Sequence, residues 1–348
     1  MAKKTGGEGY ERFRSDLKAG SFQRMYVFSG EEKYLLEYYR QQLKKKLVSG
    51  PAEDFNYHRF TEENWDVEAL SEAVEAIPMM SESSLVEVVD VDPFGRPDSE
   101  RQRLTEIFSN LPEYCVLLYV YDTVAWKPDK RMKKLWGAME QAALEVDFPK
   151  QSERQLIPWI LRHLATGKRT MSDELCRYLI LITGGSMTTL AAELQKLLSY
   201  SDQPAITRND IDAVVIPVVD AAIFEITRAI GRQDFDGAMQ KLRALLRQDV
   251  EPIVINAALG QQLRRISAAK ILSEHGKGPY DLVKLCGVWE SAAREIYGQA
   301  GGFKKPMLKQ AITLTAETDY AMKTSGGDSS ELLEMMVLRL AEMSGRTR

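Results

Sequence analysis

Met25-Tyr26-Val27-Phe28-Ser29-Gly30-Glu31-Glu32-Lys33 reads as a strand over 24–28, a tight turn and the opening of a helix. A short run of large apolar residues bounded by Ser29-Gly30 fits a buried strand. From Lys33 the period changes, and Leu35, Leu36, Tyr39, Leu43 and Leu47 fall on one helical stripe. In an α/β protein this turn is where a phosphate-binding loop would sit. Such a loop needs G-x-x-x-x-G-K-[ST], so that backbone amides and a lysine surround the phosphates. Here one glycine is followed by two carboxylates. Glu31 and Glu32 suit the positive end of a helix dipole but repel a triphosphate. G-K-[ST] occurs nowhere, since Gly167-Lys168 runs into Arg169 and Gly276-Lys277 into Gly278.

Outward from this turn the pattern repeats. Strands are expected at 55–60, 85–91, 115–121 and 144–148, with helices at 10–17, 33–47, 65–76, 98–109 and 129–142. The 55–60 segment alternates, with Phe55, Tyr57 and Arg59 on one side and Asn56, His58 and Phe60 on the other. The run from Cys115 is almost continuously apolar, as expected of a central strand covered on both faces. Strand–helix alternation implies a parallel sheet between helices. Asp90, Asp92 and Asp122 end strands. Without a P-loop lysine and Ser/Thr they have no nucleotide site to complete.

Beyond Pro149 the strand signals stop. Helices are expected at 153–164, 172–183, 187–200 and, behind the Thr207-Arg208-Asn209-Asp210 cap, up to 215. Pro217 marks a further boundary, followed by helices at 221–231, 234–247, 251–273, 290–298, 304–323 and 329–343. The glycine-bearing segments 275–281 and 299–303 read as turns. The domains are therefore 1–150, α/β; 151–216, small and all-helical; and 217–348, all-helical.

Hydrophobic content of 44 % and charged content of 28 % over 348 residues are ordinary for a globular protein with two or three domains. A net charge of −4 argues against a polycation seeking nucleic acid. Residues 221–348 nevertheless carry 18 Lys and Arg against 15 Asp and Glu, so any phosphate contact is expected there. The basic residues at hand are Arg264, Arg265, Lys304, Lys305, Lys309 and Lys323, which also read as a plain solvated face. Cys115, Cys176 and Cys286 show no paired spacing, which fits a reducing cytoplasm. His58, His163 and His275 are equally scattered, and no metal site, cofactor, signal peptide or membrane span is expected. Nor is a nucleophile elbow or a zinc-protease motif present.

One connection stands out. Ile77-Pro78-Met79-Met80-Ser81 puts three large apolar side chains around a proline between a helix and a strand. They either cap the local core or form an exposed partner surface, for which methionine is well suited.

The order of these segments resembles the delta subunit of the bacterial DNA polymerase III clamp loader, an AAA+ family. The resemblance is carried by residues 25–36, by 77–86, by 182–197 with its Gly184-Gly185…Leu190…Glu193-Leu194-Gln195-Lys196-Leu197 signature, by Ile206-Thr207-Arg208-Asn209-Asp210-Ile211, and by 219–224 and 262–267. It implies an AAA+-like parallel-sheet domain without a P-loop, then a small all-α lid domain and an all-α collar domain. It implies a non-catalytic subunit that binds and opens the sliding clamp (the beta subunit) for loading onto primed DNA. Its partners would be the ATP-hydrolysing subunits and the delta-prime subunit of the DNA polymerase III holoenzyme, a nucleotidyltransferase complex. The clamp contact falls on Met79 and Met80 as the wedge, with Ile77 beside them. Relatives often carry a Leu-Phe-type pair where this chain has Met-Met. Two other readings compete: an AAA+ ATPase with a degenerate nucleotide site, and a helical DNA-binding scaffold that does not touch the clamp.

Overall fold

The computed structural model describes residues 7–200 and 202–345. The chain forms two compact units that meet at Gln151 and Ser152. The first contains α1 (Gly7–Ala19), β1 (Met25–Ser29), α2 (Lys33–Leu47), α3 (Glu53–Asn56), β2 (Tyr57–Phe60) and α4 (Val67–Glu75). It continues with β3 (Ser84–Val89), α5 (Asp98–Ser109), β4 (Cys115–Val120), α6 (Lys133–Ala142) and β5 (Ala143–Asp147). All five strands are parallel, in the order β2-β3-β4-β1-β5.

The period-two alternation of β1 divides its side chains between two cores. Met25 and Val27 join Val86, Val88, Leu117 and Tyr119 of the neighbouring strands, under Leu104 and Phe108 of α5. Tyr26 and Phe28 point the other way. There Phe13 of α1 meets both rings edge-on at centroid distances of 5.2 and 4.9 Å, and Phe148 meets Phe28 at 5.1 Å. Helix α1, expected at 10–17, is thus tied down by a buried aromatic cluster, worth more than its area because edge-to-face geometry is favoured.

A charge lies inside this unit. Glu87, in the middle of β3, is 1 % exposed. Its oxygens accept from Arg40 Nε at 2.7 Å and from Tyr57 Oη at 2.7 Å, with Arg59 at 3.5 Å. Burial and then the neighbouring Glu87 carboxylate push the Tyr57 hydroxyl up to about 12. A carboxylate here satisfies two arginines and a phenol at once. Glu87→Ala should therefore cost about 1–3 kcal/mol, because it strips Arg40 Nε and the Tyr57 hydroxyl of their buried acceptor and leaves Arg40 only its pairing with Glu37 at 2.6 Å. Urea unfolding of the intact chain measures this, and a loss below about 1 kcal/mol would show the network to be dispensable.

Boundaries shift from expectation by a few residues, and two of the shifts have a visible cause. The strand expected at 55–60 begins at Tyr57, because Phe55 and Asn56 close a helical turn whose Glu53 pairs with Lys44 of α2 at 2.7 Å. The helix expected from 129 begins at Lys133, because the Asp129 carboxylate holds the Arg131 amide and guanidinium in a separate turn.

The second unit is wholly helical apart from one bridge between Thr170 and Ala205. It contains α7 (Glu153–Thr166), α8 (Asp173–Ile182), α9 (Met187–Tyr200), α10 (Arg208–Val214), α11 (Val219–Gly231) and α12 (Phe235–Leu246). There follow α13 (Pro252–Glu274), α14 (Pro279–Cys286), α15 (Glu290–Ala300), α16 (Lys305–Thr324) and α17 (Ser329–Gly345). Helix α14 overlaps the segment 275–281 expected as a turn. Pro279 at its first position and the Asp281 carboxylate, which accepts from the Gly278 amide at 3.0 Å, start it. Gly287 ends it in the left-handed region, φ 64°.

The main core of this unit gathers residues of α11 to α17, among them Leu259, Leu263, Ile296, Leu314 and Val337. Among the contacts that join α7–α10 to it, two are specific to α15 and the residue before it. Buried Glu153 accepts from the Ser291 amide at 2.9 Å and pairs with Arg177 at 3.2 Å. The Trp289 ring lies where a side chain at Gly185 would project, 2.4 Å from the position of a Cβ. Glycine at 185 is thus required twice, by that contact and by φ 69°. Among the described residues no single helix is long and apolar enough to cross a membrane.

Candidate docking knuckle and the closed first turn

Helix α4 begins at Asp66, whose carboxylate accepts from the Glu68 and Ala69 amides. It ends at Ala76 because Ile77 precedes proline and is pushed out of the helical region. The chain then turns back into β3 over seven residues. Ile77, Met79 and Met80 are 78, 56 and 79 % exposed, so the core-capping alternative does not hold for their side chains. The structure brings all three together on one short loop.

The loop is pinned at several points. Tyr114, at the foot of β4, donates its hydroxyl to the Glu75 carbonyl at 2.9 Å, and its backbone carbonyl accepts from the Ser84 amide at 2.8 Å, so it holds both ends. At the apex, buried Asn56 accepts from the Met79 amide at 2.8 Å and donates to the Met79 carbonyl at 2.6 Å. Met80 follows with φ 60°, a left-handed backbone that few non-glycine residues adopt. Ser81 then donates its hydroxyl to the Ser83 carbonyl at 2.5 Å. Sequence reading found the apolar residues and missed Asn56 and Tyr114. An Asn one residue before a strand was the only local signal, and it was read as part of that strand.

The turn after β1 is closed by the protein itself. The Glu32 amide donates to the Phe148 carbonyl at 2.9 Å, and the Phe148 amide donates to the Ser29 carbonyl at 2.7 Å. Gly30 has φ 137°, and a Cβ there would stand 2.3 Å from the Phe148 oxygen. The backbone after β5 thus packs directly against this turn. Acids surround the turn. Burial pushes the Glu32 carboxyl up, against a bond from the Tyr34 amide and the Lys150 charge. Burial and the Glu31 charge push Asp147 up.

The strand-end acids have structural partners. Asp90, with φ 57°, accepts from the Asp122, Thr123 and Val124 amides and from the Thr123 hydroxyl, knotting the ends of β3 and β4. Partial burial raises its carboxyl, but these bonds outweigh that and hold it below the usual carboxylate range. Lys33 Nζ lies 3.2 Å from the Tyr121 carbonyl and 3.8 Å from Asp122. No cluster of three metal-ligating side chains occurs among the described residues.

The six basic residues noted in the sequence lie on α13 and α16. Arg264 and Arg265 lie mid-way along α13, and Arg265 is only half-exposed. Lys304 caps α16, with Lys305 and Lys309 in its first turns and Lys323 at its last, roughly 27 Å away at 1.5 Å per residue. Lys305 pairs with Glu274 and Lys323 with Asp319. Lys304 and Lys309 are exposed.

Two family models match the chain: one described as DNA polymerase III, delta subunit, over residues 26–148, and one as the C-terminal domain of the DNA polymerase III delta subunit, over 220–340. The DNA polymerase III subunit delta of Bacillus subtilis (strain 168) is 27 % identical over 334 residues, covering 93 % of this chain and 94 % of that protein. A probable DNA polymerase III subunit delta of Aquifex aeolicus (strain VF5) is 24 % identical over 303 residues, covering 85 and 82 %. Among solved structures, the Bacillus subtilis DNA clamp loader delta protein superposes with a TM-score of 0.62 at 26 % identity, covering 95 % of this chain and 99 % of that one. A five-stranded parallel sheet joined to this helical unit places the protein among clamp-loader components of DNA replication. The chain belongs to the DNA polymerase III delta-subunit family, and so to a complex with other clamp-loader subunits.

Proposed function

We propose that this chain binds the sliding clamp through Ile77, Met79 and Met80 and favours its open form, so that the ring can be placed around primed DNA. The observation that carries this reading is the pinned loop presenting three exposed apolar side chains in a member of this family. Exposed apolar side chains held on a fixed backbone are what a docking anchor requires, since little ordering remains to be done on binding. Such a contact opens a ring only by binding the open state better than the closed one.

The subunit is itself non-catalytic in this reading. The closed turn after β1 and the acids around it support that, because the site of a triphosphate is filled by backbone and its charge would be repelled. It works beside ATP-hydrolysing subunits and a delta-prime subunit, in the cytoplasm. Residues 1–150 act as the AAA+-like clamp-binding domain, 151–216 as a lid and 217–348 as a collar that joins the neighbours. Exposed Lys304 and Lys309, with Arg264, Arg265, Lys305 and Lys323, are the candidates for contact with the DNA backbone, a salt-dependent and sequence-indifferent interaction.

Capture of the cognate clamp by the intact chain tests this directly. Saturable binding unchanged by ATP and Mg²⁺ is expected, with no heat of ATP binding in calorimetry. Absence of clamp binding would sink the proposal, and tight ATP binding by the chain alone would favour a degenerate ATPase.

A further inference from the structure

We propose that Asn56 is a positioning residue for the knuckle, one that sets the conformation in which Met79 and Met80 are presented. The inference rests on reading the knuckle as the clamp contact. Asn56 is 1 % exposed and cannot itself touch a partner on the surface. Its carboxamide instead exchanges two hydrogen bonds with the Met79 backbone, 23 residues away, accepting at 2.8 Å and donating at 2.6 Å. That is the two-bond exchange of neighbouring strands, supplied here by a side chain. The second amide hydrogen reaches the Ser81 hydroxyl at 3.3 Å, and Ser81 in turn bonds the Ser83 carbonyl at 2.5 Å. One side chain thus anchors the residues on both sides of Met80.

Met80 needs that support. Its φ of 60° is a conformation an unrestrained methionine rarely holds, and it persists only where the surroundings determine it. Nothing buried secures the Met80 side chain, which is 79 % exposed. The restraint therefore comes from the backbone bonds on either side. Asn56 is itself fixed at the end of α3, whose Glu53 pairs with Lys44 of α2 at 2.7 Å. Losing the carboxamide would release the apex while leaving every apolar side chain in place.

Asn56→Ala should weaken binding of the intact chain to the cognate clamp by about tenfold, the loss of a preorganised loop rather than of contact area. Amide exchange at Met79 should become faster in the same variant. Asn56→Asp, of equal size, keeps the bond accepted from the Met79 amide and loses the one donated to its carbonyl. Because it sets a carboxylate oxygen against that carbonyl, it should weaken binding at least as much as alanine does, and thermal unfolding of both variants separates release of the apex from loss of the fold. In a background already carrying Met79→Ser and Met80→Ser, Asn56→Ala should add less than about a twofold change, since residues acting as one unit are non-additive.

If both Asn56 variants bind like the parent while the methionine variant does not, the positioning role is overturned and the clamp contact stands. An undiminished Asn56 effect in the methionine background also overturns it, because Asn56 would then act elsewhere. Normal binding by the methionine variant itself removes the clamp contact and this inference together.

Discussion

Replacing Met79 and Met80 together with serine should weaken binding of the sliding clamp by at least about a hundredfold while leaving the protein folded. Each methionine buried at an interface contributes roughly 1.5–3 kcal/mol that a serine cannot supply. Two such losses exceed about 3 kcal/mol, and each 1.4 kcal/mol is tenfold in affinity. The cost of association is the same for parent and variant, so the difference appears undiluted. Stability should change little, because both side chains already face solvent. Ile77→Ser alone should weaken binding less, since it removes one anchor at the side of the pair. Titration of the clamp against both variants, with thermal unfolding recorded in parallel, gives the answer. A double variant that binds within about threefold of the parent would exclude the methionines as the wedge.

The second large effect concerns the closed turn. Gly30→Ala should destabilise the first unit severely. An alanine at φ 137° is strained by about 1–3 kcal/mol before any contact is considered. Its Cβ would also stand 2.3 Å from the Phe148 oxygen and 2.6 Å from its nitrogen and carbonyl carbon. That neighbour is backbone held by two bonds, from the Glu32 amide and to the Ser29 carbonyl, and it cannot give way without breaking them. The sum exceeds about 3 kcal/mol, a large share of the 5–15 kcal/mol that holds a domain together. Gly20→Ala is the control. Gly20 has φ 70° with nothing within 4 Å of its Cβ, so only the backbone strain applies and the loss should be near 1 kcal/mol. Because the two units need not unfold together, amide exchange at Tyr26 and Phe28 should follow the first unit separately from the overall helix signal. Equal losses for the two variants would show that Phe148 does not confine the turn.

What the sequence by itself determined is everything that depends on neighbours along the chain. The period-two strands, the period-3.6 helices, the missing G-K-[ST] and the boundary before Ser152 are local patterns, and each was legible. The proline after Ile77 also announced a loop, since it disfavours the helical region for the residue before it at the end of a helical stripe. Local reading failed where a competing contact lies far off in the chain. Asn56 looked like a strand residue and became the support of a loop 23 residues later. Pro279 is a different case, for it opens a helix through a local contact, the Asp281 carboxylate bonding the Gly278 amide three residues before it. Of the basic residues of α13 and α16, Lys305 and Lys323 are taken by Glu274 and Asp319, and the length of α16 separates Lys323 from the lysines at its start. The absence of a phosphate loop could be read in residues 29–33, but the reason the space is closed could not. It is the backbone of Phe148, brought there because β5 pairs with β1. Exposure of the knuckle was undecided for the same reason. Side chains are buried or left out by what packs against them, and only the folded chain, with Tyr114 and Asn56 pinning the loop outward, decided that Ile77, Met79 and Met80 face the solvent.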